Sequence, residues 1–378
     1  MAYADLSCVV HVHSTYSDGT ATVPEILAAA RTAEADCVLL TDHDTLQAKH
    51  DGWEGRHDGV LLVVGEEITP PGGHLLVFGT DAEIPHDGRL EPDLCREVAR
   101  AGGLGIAAHP FSEGSRISTR LGPPHPWGAL GEPGCRGIEL WSLATDAAEA
   151  WRGPREVLAT LRAPEVLDGP PDRHLRAWDR LCRDRRLVAI GGLDAHQPGL
   201  RVRGRVRSIM PHRRWFALLR THVLVAGEPT PASVCAAIAE GRCYLALRHL
   251  GDPRGFSLEA NGVPMGGEAV WAGQTIRVTV PASADIRLLC DGEEVARTHA
   301  AALRHETACP GVYRVEVSRR GRTWIVSNPV YLRAAGRGHD TSDVSRERTA
   351  YESFLGTRPE SPSTEVCLEH LGRYDDGG

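Results

Sequence analysis

Two histidines near the start of the chain have a spacing suited to metal binding. His11 and His13 stand two residues apart in the β-branched segment 9–13. In a β-strand, residues i and i+2 point to the same face, so the two imidazoles would project side by side. Imidazole is a common metal ligand, but a histidine pair on a strand face can also be merely packed or solvated. The pair therefore predicts a metal site only if other ligand types join it.

Further apolar runs along the chain also end in histidine, aspartate or glutamate. They alternate with helical segments, predicted at Val23–Ala35 and Glu91–Ala101, which is typical of βα units around a parallel sheet. In barrels of this kind the chemistry sits at the carboxyl ends of the strands. These ends collect six histidines and three acids, namely His11, His13, His43, His74, His109, His196, Asp18, Glu67 and Asp194.

Five short motifs in this series resemble those of the PHP (polymerase and histidinol phosphatase) superfamily, in the same order. The motifs are HVHSTYSDG, TDHDT, GEEIT, AAHP and GLDAH, and the resemblance covers roughly residues 5–250. It implies a distorted (β/α)7 TIM-like barrel and a trinuclear metal centre that hydrolyses phosphate esters. Three divalent ions are expected, and zinc, manganese and iron all suit mixed nitrogen and oxygen ligands.

The resemblance also implies which residue binds which ion. The first metal would be held by His11, His13, Glu67 and Asp194. Glu67 would bridge to a second metal, held also by His74 and His109. The third metal would be held by Asp18, His43 and His196. Glu67 is chosen over Glu66 because the family has a GxE pattern, and because Glu66 points to the opposite face if the strand pleat persists.

Such a centre would make a side-chain nucleophile unnecessary. A hydroxide that bridges two metals forms near neutral pH, because the metals lower the pKa of water from about 15.7 towards 7. Asp42, Asp44 and Glu139 lie beside presumed ligands and are predicted to orient ligating histidines through their second ring nitrogen. The alternative for Asp42 or Asp44 is a cap on the following helix.

An anionic substrate would need positive groups that the metals do not supply. Arg116, in the loop after AAHP, and Arg201 or Arg203, after GLDAH, are candidates because a guanidinium binds phosphate through two parallel hydrogen bonds. Solvated surface arginine is the alternative for all three. His125 could donate a proton to the leaving group, or simply lie in a rigid loop. The predicted catalytic residues are Glu67, Asp194, His196, Arg116 and His125.

The chain divides into three predicted parts. Residues 1–250 form the barrel, with a helical insert at about 142–186 that is either a lid or cladding of the barrel. Residues 251–333 have short alternating strands and Gly-, Pro- and Asp-containing turns, which predict an antiparallel β-sandwich. Residues 334–378 form a polar tail of weak order.

The β-rich region resembles the end of the CehA/McbA-like branch of these hydrolases, named for carbaryl hydrolase. That resemblance opens a second function, hydrolysis of a carbamate, ester or amide. The two alternatives of other classes are a non-catalytic metal-binding or structural PHP domain, and a binding module whose β region presents Trp271 and Trp324 to a partner.

Composition restricts the partners. The 378 residues carry a net charge of −8 and a pI near 6.1, which argues against a dedicated nucleic-acid binder. The ten cysteines form no CxxC pair, which favours a reducing compartment. With neither a signal peptide nor a long apolar run in view, we expect a cytoplasmic protein without membrane contact that acts on a small molecule. The sequence leaves the oligomeric state open.

Overall fold

A computed structural model describes residues 3–117, 123–130, 132–162, 168–203, 205–208 and 210–335. These residues belong to one compact unit. Nearly all of the predicted polar tail, residues 336–378, lies outside the described residues.

The first two thirds of the chain alternate strands with helices. The strands are β1 Tyr3–Val12, β2 Cys37–His43, β3 Gly55–His57, β4 Val60–Ile68, β5 His74–Phe78, β6 Leu104–Ala108, β7 Cys135–Ser142, β8 Val188–Gly192, β9 Gly199–Val202, β10 Arg205–Ser208, β11 Leu219–Ala226 and β12 Cys243–Leu247. The helices are α1 Val23–Thr32, α2 Gln47–His50, α3 Glu91–Arg100, α4 Leu143–Ala150, α5 Pro154–Arg162, α6 Asp172–Asp184, α7 His212–Trp215 and α8 Pro231–Ala239.

The remaining strands follow a 3-10 turn at Arg248–Leu250. They are β13 Ser257–Ala260, β14 Val263–Pro264, β15 Glu268–Val270, β16 Thr275–Cys290, β17 Glu293–Glu306, β18 Gly311–Arg319, β19 Arg322–Ser327 and β20 Val330–Arg333.

Local sequence explains several of these elements. Helix α1 begins where Thr22 donates its backbone N–H to the Glu25 carboxylate at 2.8 Å, a contact that satisfies a free donor at the helix start. Its apolar residues Val23, Ile26, Leu27 and Ala30 recur at helical spacing and are buried. Strand β2 is apolar on both faces and buried over Cys37–Leu40, as expected for a central strand of a mixed α/β protein.

The central sheet is mixed rather than parallel. Strands β1, β2 and β4 run parallel, as do β6, β7 and β8. The expectation of a fully parallel sheet is wrong at β5, which runs antiparallel to both β4 and β6. Only five residues separate β4 from β5, too few for the crossover that a parallel connection needs.

No regular ladder closes this sheet into a barrel within the described residues. After β8, Leu193 N–H donates to Val10 O at 2.9 Å and Ala195 N–H donates to His11 O at 3.1 Å. These bonds and one isolated bridge between Val12 and Ala195 connect β1 with the segment that follows β8. The molecule is therefore a mixed α/β protein with a large sheet, and a regular (β/α)7 barrel remains a prediction.

The C-terminal region is rich in strands, three of which, β14, β15 and β17, were not located in the sequence. Most of its ladders are antiparallel, but β15 pairs with β20 in parallel, and β12 pairs with β19 to join this region to the first sheet. The longest of these, β17, is mostly exposed, and its sequence lacks the regular apolar alternation of a half-buried strand. Trp324 is buried in this region, so it does not present a surface to a partner.

Candidate metal centre

The nine predicted ligands come together at one edge of the sheet. Because β5 is antiparallel, its first residue His74 lies at the same edge as the ends of β4 and β6, opposite Ala108 in the ladder. Glu67 is near the end of β4 and His109 directly follows β6. Side chains separated by up to 185 positions in the chain thus meet at one place.

Several candidate ligands adopt a left-handed backbone. The φ angles are 63° at His11, 31° at His109 and 51° at Asp194, a region that residues other than glycine adopt at a cost. The register of β1 on β2 also shifts between Val10 and Val12. His11 therefore lies at an irregularity of the strand. Both His11 and His13 reach the carboxylate of Glu67, but not through the regular i, i+2 alternation that the sequence predicted.

Glu67 is the hub of the cluster. From Oε2 the distances are 3.1 Å to His11 Nε2, 3.3 Å to His13 Nε2 and 3.3 Å to His43 Nδ1. From Oε1 they are 3.0 Å to His74 Nδ1 and 3.3 Å to His109 Nε2. Glu66 faces away and accepts a hydrogen bond from the Ile84 N–H at 2.8 Å, as the strand pleat predicts.

Two further carboxylates extend the cluster towards solvent. Asp194 Oδ1 lies 3.6 Å from His11 Nε2, 3.7 Å from His13 Nε2 and 3.4 Å from His196 Nδ1. Asp18 Oδ1 lies 3.2 Å from His196 Nε2 and 3.6 Å from His43 Nε2.

Three sets of donor atoms lie close enough together to hold a cation. They are His13 with Asp18, His43 and His196; His11 with His13 and Asp194; and His11 with Glu67 and His109. The sets overlap at His11 and His13, and none of them includes His74. They therefore differ from the expected grouping, in which His74 joins Glu67 and His109.

Glu139 orients the most deeply buried ligands. Its Oε1 accepts a hydrogen bond from His11 Nδ1 at 2.9 Å, and its Oε2 accepts one from the His109 backbone N–H at 2.9 Å. The first contact directs His11 Nε2 towards Glu67, which is how a carboxylate behind a histidine prepares it to bind metal.

Asp42 and Asp44 contact other groups. Asp42 accepts hydrogen bonds from the Ser14 N–H and the Ser14 and Ser17 hydroxyls, each at 2.7 Å, and so orders the loop that carries Asp18. Asp44 accepts from the Thr69 N–H and hydroxyl at 2.9 and 2.6 Å. Neither contact orients a candidate ligand ring, and neither caps α2, whose N-cap is Leu46.

The charges of the cluster oppose the effect of burial on pKa. Burial lowers the pKa of His11, but Glu139, Glu67 and Asp194 outweigh it and raise that pKa well above its usual range. Burial raises the pKa of Glu67, but His11 and the adjoining imidazoles outweigh it and hold that pKa well below its usual range. The acids therefore stay ionised next to the imidazoles.

His13 provides the test of whether these residues fit a metal. The side chain is fully buried, yet neither ring nitrogen has a hydrogen-bond partner in the described structure. Burial lowers the pKa of His13 to about 4, so the ring is neutral near pH 7 and offers a lone pair. Buried polar atoms without partners are costly, and a cation at this position would satisfy the ring. The donor set fits divalent metal ions.

The predicted substrate-binding residues lie at different distances from this cluster. His125 stacks on His74 with a ring separation of 4.2 Å and is half-buried. Arg116 is exposed and lies 3.9 Å from Glu113. Arg203 is exposed, and the side chain of Arg201 lies outside the described residues. The structure thus brings His125 to the cluster but does not show the arginines in contact with it.

Thr145, in the helical insert, contacts the candidate site, and the sequence analysis did not identify it. Its hydroxyl donates to Asp194 Oδ2 at 2.8 Å. Nothing in the local sequence of the insert marks this threonine, since its partner is 49 positions away.

Comparison with known proteins adds limited information. No family model matches the chain, and no curated protein matches it either. The similar solved structures include a two-domain protein from Bacteroides vulgatus that contains a predicted PHP-like metal-dependent phosphoesterase. It is 17% identical, with a TM-score of 0.40, over 86% of this chain and 95% of that one.

Two other solved structures match about half of the chain. A proposed metal-dependent phosphoesterase from Bifidobacterium adolescentis is 17% identical, with a TM-score of 0.31, over 52% of this chain and 88% of that one. An amidohydrolase from Chromobacterium violaceum with bound sulfate and no metal is 17% identical, with a TM-score of 0.32, over 51% and 88%. Similarity at this level leaves the function to be inferred from the chain's own residues.

Within the described residues, no helix is long and apolar enough to span a membrane.

Proposed function

We propose that this protein is a metal-dependent hydrolase of the PHP type, and that it acts as a phosphoesterase on a small phosphomonoester or phosphodiester. The observation that carries the proposal is the convergence of nine residues with nitrogen and oxygen donors, Glu67 among them. His13 is buried in this cluster, and neither of its ring nitrogens makes a hydrogen bond within the described structure, although Nε2 lies 3.3 Å from Glu67 Oε2. A structural PHP domain without activity would be free to lose such ligands, and here every expected position is filled.

The proposed ligands follow the grouping that the resemblance to the PHP superfamily implies. His11, His13, Glu67 and Asp194 hold one ion, Glu67 with His74 and His109 holds a second, and Asp18, His43 and His196 hold a third. Bound divalent cations supply a water molecule that ionises near neutral pH and positive charge for the phosphoryl oxygens. Glu139 keeps His11 Nε2 directed into the cluster, as its 2.9 Å contact with Nδ1 supports.

Two residues are assigned to the substrate. His125 stands at the edge of the cluster beside His74, and burial, together with the neighbouring His74 and His109, lowers its pKa to about 4. It can donate a proton to the leaving group once the negative charge of a bound phosphate raises that pKa. Arg116 belongs to the loop that follows His109 and supplies a guanidinium for a phosphate. Arg201 and Arg203 remain candidates for the same role.

A second function is supported by a separate feature. The loop that carries Asp18 also borders a cavity of about 310 Å³, lined by Thr15, Tyr16, Thr22, Val23, Pro24 and Trp53. Its aromatic and aliphatic walls suit an apolar group better than a charged one. This favours an aryl carbamate, ester or amide as the alternative substrate class.

A hydrolysis screen tests both functions. Protein stripped with a chelator and reloaded with manganese, zinc or ferrous iron is assayed with p-nitrophenyl phosphate, bis-p-nitrophenyl phosphate and naphthyl carbamate. We expect turnover of a phosphate substrate, and loss of turnover and of bound metal in His13→Ala and Asp194→Ala. His299→Ala, which removes an exposed histidine paired with Asp285, is the matched control.

Faster turnover of the carbamate would select the alternative function. Full activity and metal content in His13→Ala, or no bound metal in the wild-type protein, would contradict the proposed centre.

A further inference from the structure

The helical insert contacts the candidate metal centre through the short helix α4, and α6 adds contacts to the loop after His109. Helix α4 follows β7 directly, and its residues Thr145 and Glu149 are four positions apart, so they lie on the same helix face. Each makes its hydrogen bonds with a different segment of the candidate site. These contacts are hydrogen bonds, whereas a helix that only covered the sheet would need only apolar packing.

Thr145 holds the outer oxygen of Asp194. The Thr145 hydroxyl donates to Asp194 Oδ2 at 2.8 Å, whereas Oδ1 faces His11, His13 and His196. The backbone adds a second connection, since Ala144 N–H donates to Leu193 O at 3.2 Å. One oxygen of the carboxylate is thereby fixed by α4 and the other is left for the cluster.

Glu149 holds the loop that follows His109. Its Oε1 accepts hydrogen bonds from the Ser112 hydroxyl at 2.8 Å, the Glu113 N–H at 2.8 Å and the Gly114 N–H at 3.0 Å. Its Oε2 accepts from Arg173 Nη2 of α6 at 2.8 Å. The carboxylate is buried, and these four donors, one of which is the cationic guanidinium of Arg173, offset the cost of taking it out of water.

We propose that the helical insert is a positioning element of the metal centre, neither a lid nor passive cladding. Thr145 sets the orientation of the Asp194 carboxylate, and Glu149 sets the loop behind His109. Both are positioning residues, because neither side chain joins the donor cluster. This inference rests on the proposed function and adds to it the reason that the chain carries the insert.

Metal affinity tests the role of Thr145. Thr145→Val keeps the shape of the side chain and removes the donor, Thr145→Ser keeps the hydroxyl, and Ala150→Ser alters an exposed position of the same helix. The dissociation constant for Zn²⁺ is measured by competition with a chromophoric chelator. We expect the valine variant to bind about 10- to 100-fold more weakly, the range found when a group that orients a ligand is lost. The serine and Ala150→Ser variants should bind as the wild type does.

The outcomes separate this inference from the proposed function. If the wild type binds Zn²⁺ and Thr145→Val binds it equally well, the positioning role of Thr145 is refuted and the metal centre stands. If the wild type binds no divalent cation, both are refuted.

Amide hydrogen exchange tests Glu149 without any metal. In Glu149→Ala we expect faster exchange at the Glu113 and Gly114 amides, while the amides of β16 and β18 keep wild-type rates and report an intact fold. Unchanged exchange in this loop would overturn the role of Glu149. General acceleration, including β16 and β18, would overturn it as well, because Glu149 would then support the whole fold rather than the loop.

Discussion

Replacement of Glu139 should weaken metal binding by an amount that the structure allows us to work out. Both carboxylate oxygens accept hydrogen bonds, one from His11 Nδ1 and one from the His109 N–H, each at 2.9 Å. In Glu139→Gln the amide NH2 must face one of these two donors, so one hydrogen bond to a buried group is lost. Hydrogen bonds that involve a charged partner contribute about 1.5–3 kcal/mol.

That energy converts directly into affinity. If the lost contact had held His11 in its binding orientation, the loss of about 1.5–3 kcal/mol raises the dissociation constant for the metal roughly 10- to 150-fold, at about 1.4 kcal/mol per tenfold change. Gly192→Ala offers an independent route to the same effect. A Cβ at that position would lie too close to Glu139 Oε1 and 3.0 Å from the His11 Cβ, so it would displace the carboxylate without changing its chemistry.

The assay is a titration of chelator-treated protein with Zn²⁺ in competition with a chromophoric chelator. Glu293→Gln, which changes an exposed glutamate at the start of β17, is the control for loss of charge. Thermal unfolding of each metal-free variant shows whether the fold is retained. A folded Glu139→Gln protein with wild-type affinity would refute the argument that this carboxylate prepares His11 for metal.

Three further predictions follow from other parts of the structure. Asp179→Ala removes one of the two carboxylates that contact the buried guanidinium of Arg314, at 2.5 and 2.8 Å, and leaves Glu316 at 2.7 Å. Urea unfolding should show a loss of less than about 3–5 kcal/mol, the range for a buried charge left with no partner, and a much smaller loss for Asp172→Ala at an exposed position. Burial raises the pKa of Glu66 from 4.5 to about 7, so the folded state disfavours the ionised carboxylate. As the pH rises from 4.5 to 7, the unfolding free energy of the metal-free protein should fall by up to about 3 kcal/mol relative to that of Glu66→Gln. Parallel pH profiles for the two proteins would contradict this. Arg116→Ala should raise the KM for phosphate substrates and leave neutral carbamates unaffected, whereas equal losses on both would exclude a phosphate contact.

Sequence patterns predicted the helices better than the sheet. The helix predicted from Val23 is found at Val23–Thr32, and the one predicted from Glu91 at Glu91–Arg100. In the β-rich region the prolines were expected in turns between short strands, but β16 continues through Pro281, from Thr275 to Cys290. A shift in the register of β16 on β17 between Thr279 and Ala284 accommodates the proline, which cannot donate to a ladder. Such an irregularity depends on the partner strand and cannot be predicted from one strand alone.

For the candidate site, the amino-acid sequence by itself determined the set of donor residues and their order at the ends of apolar strands. Strand alternation, a local property, predicted that Glu66 and Glu67 point to opposite faces, and the resemblance to the GxE pattern selected Glu67 as the ligand. Only the tertiary structure decided that Thr145 reaches Asp194. It likewise showed that Asp42 orders the Ser14 loop instead of orienting a histidine. Those contacts join positions 28 to 49 apart in the chain, and they depend on how the strands and helices pack, which no local pattern encodes.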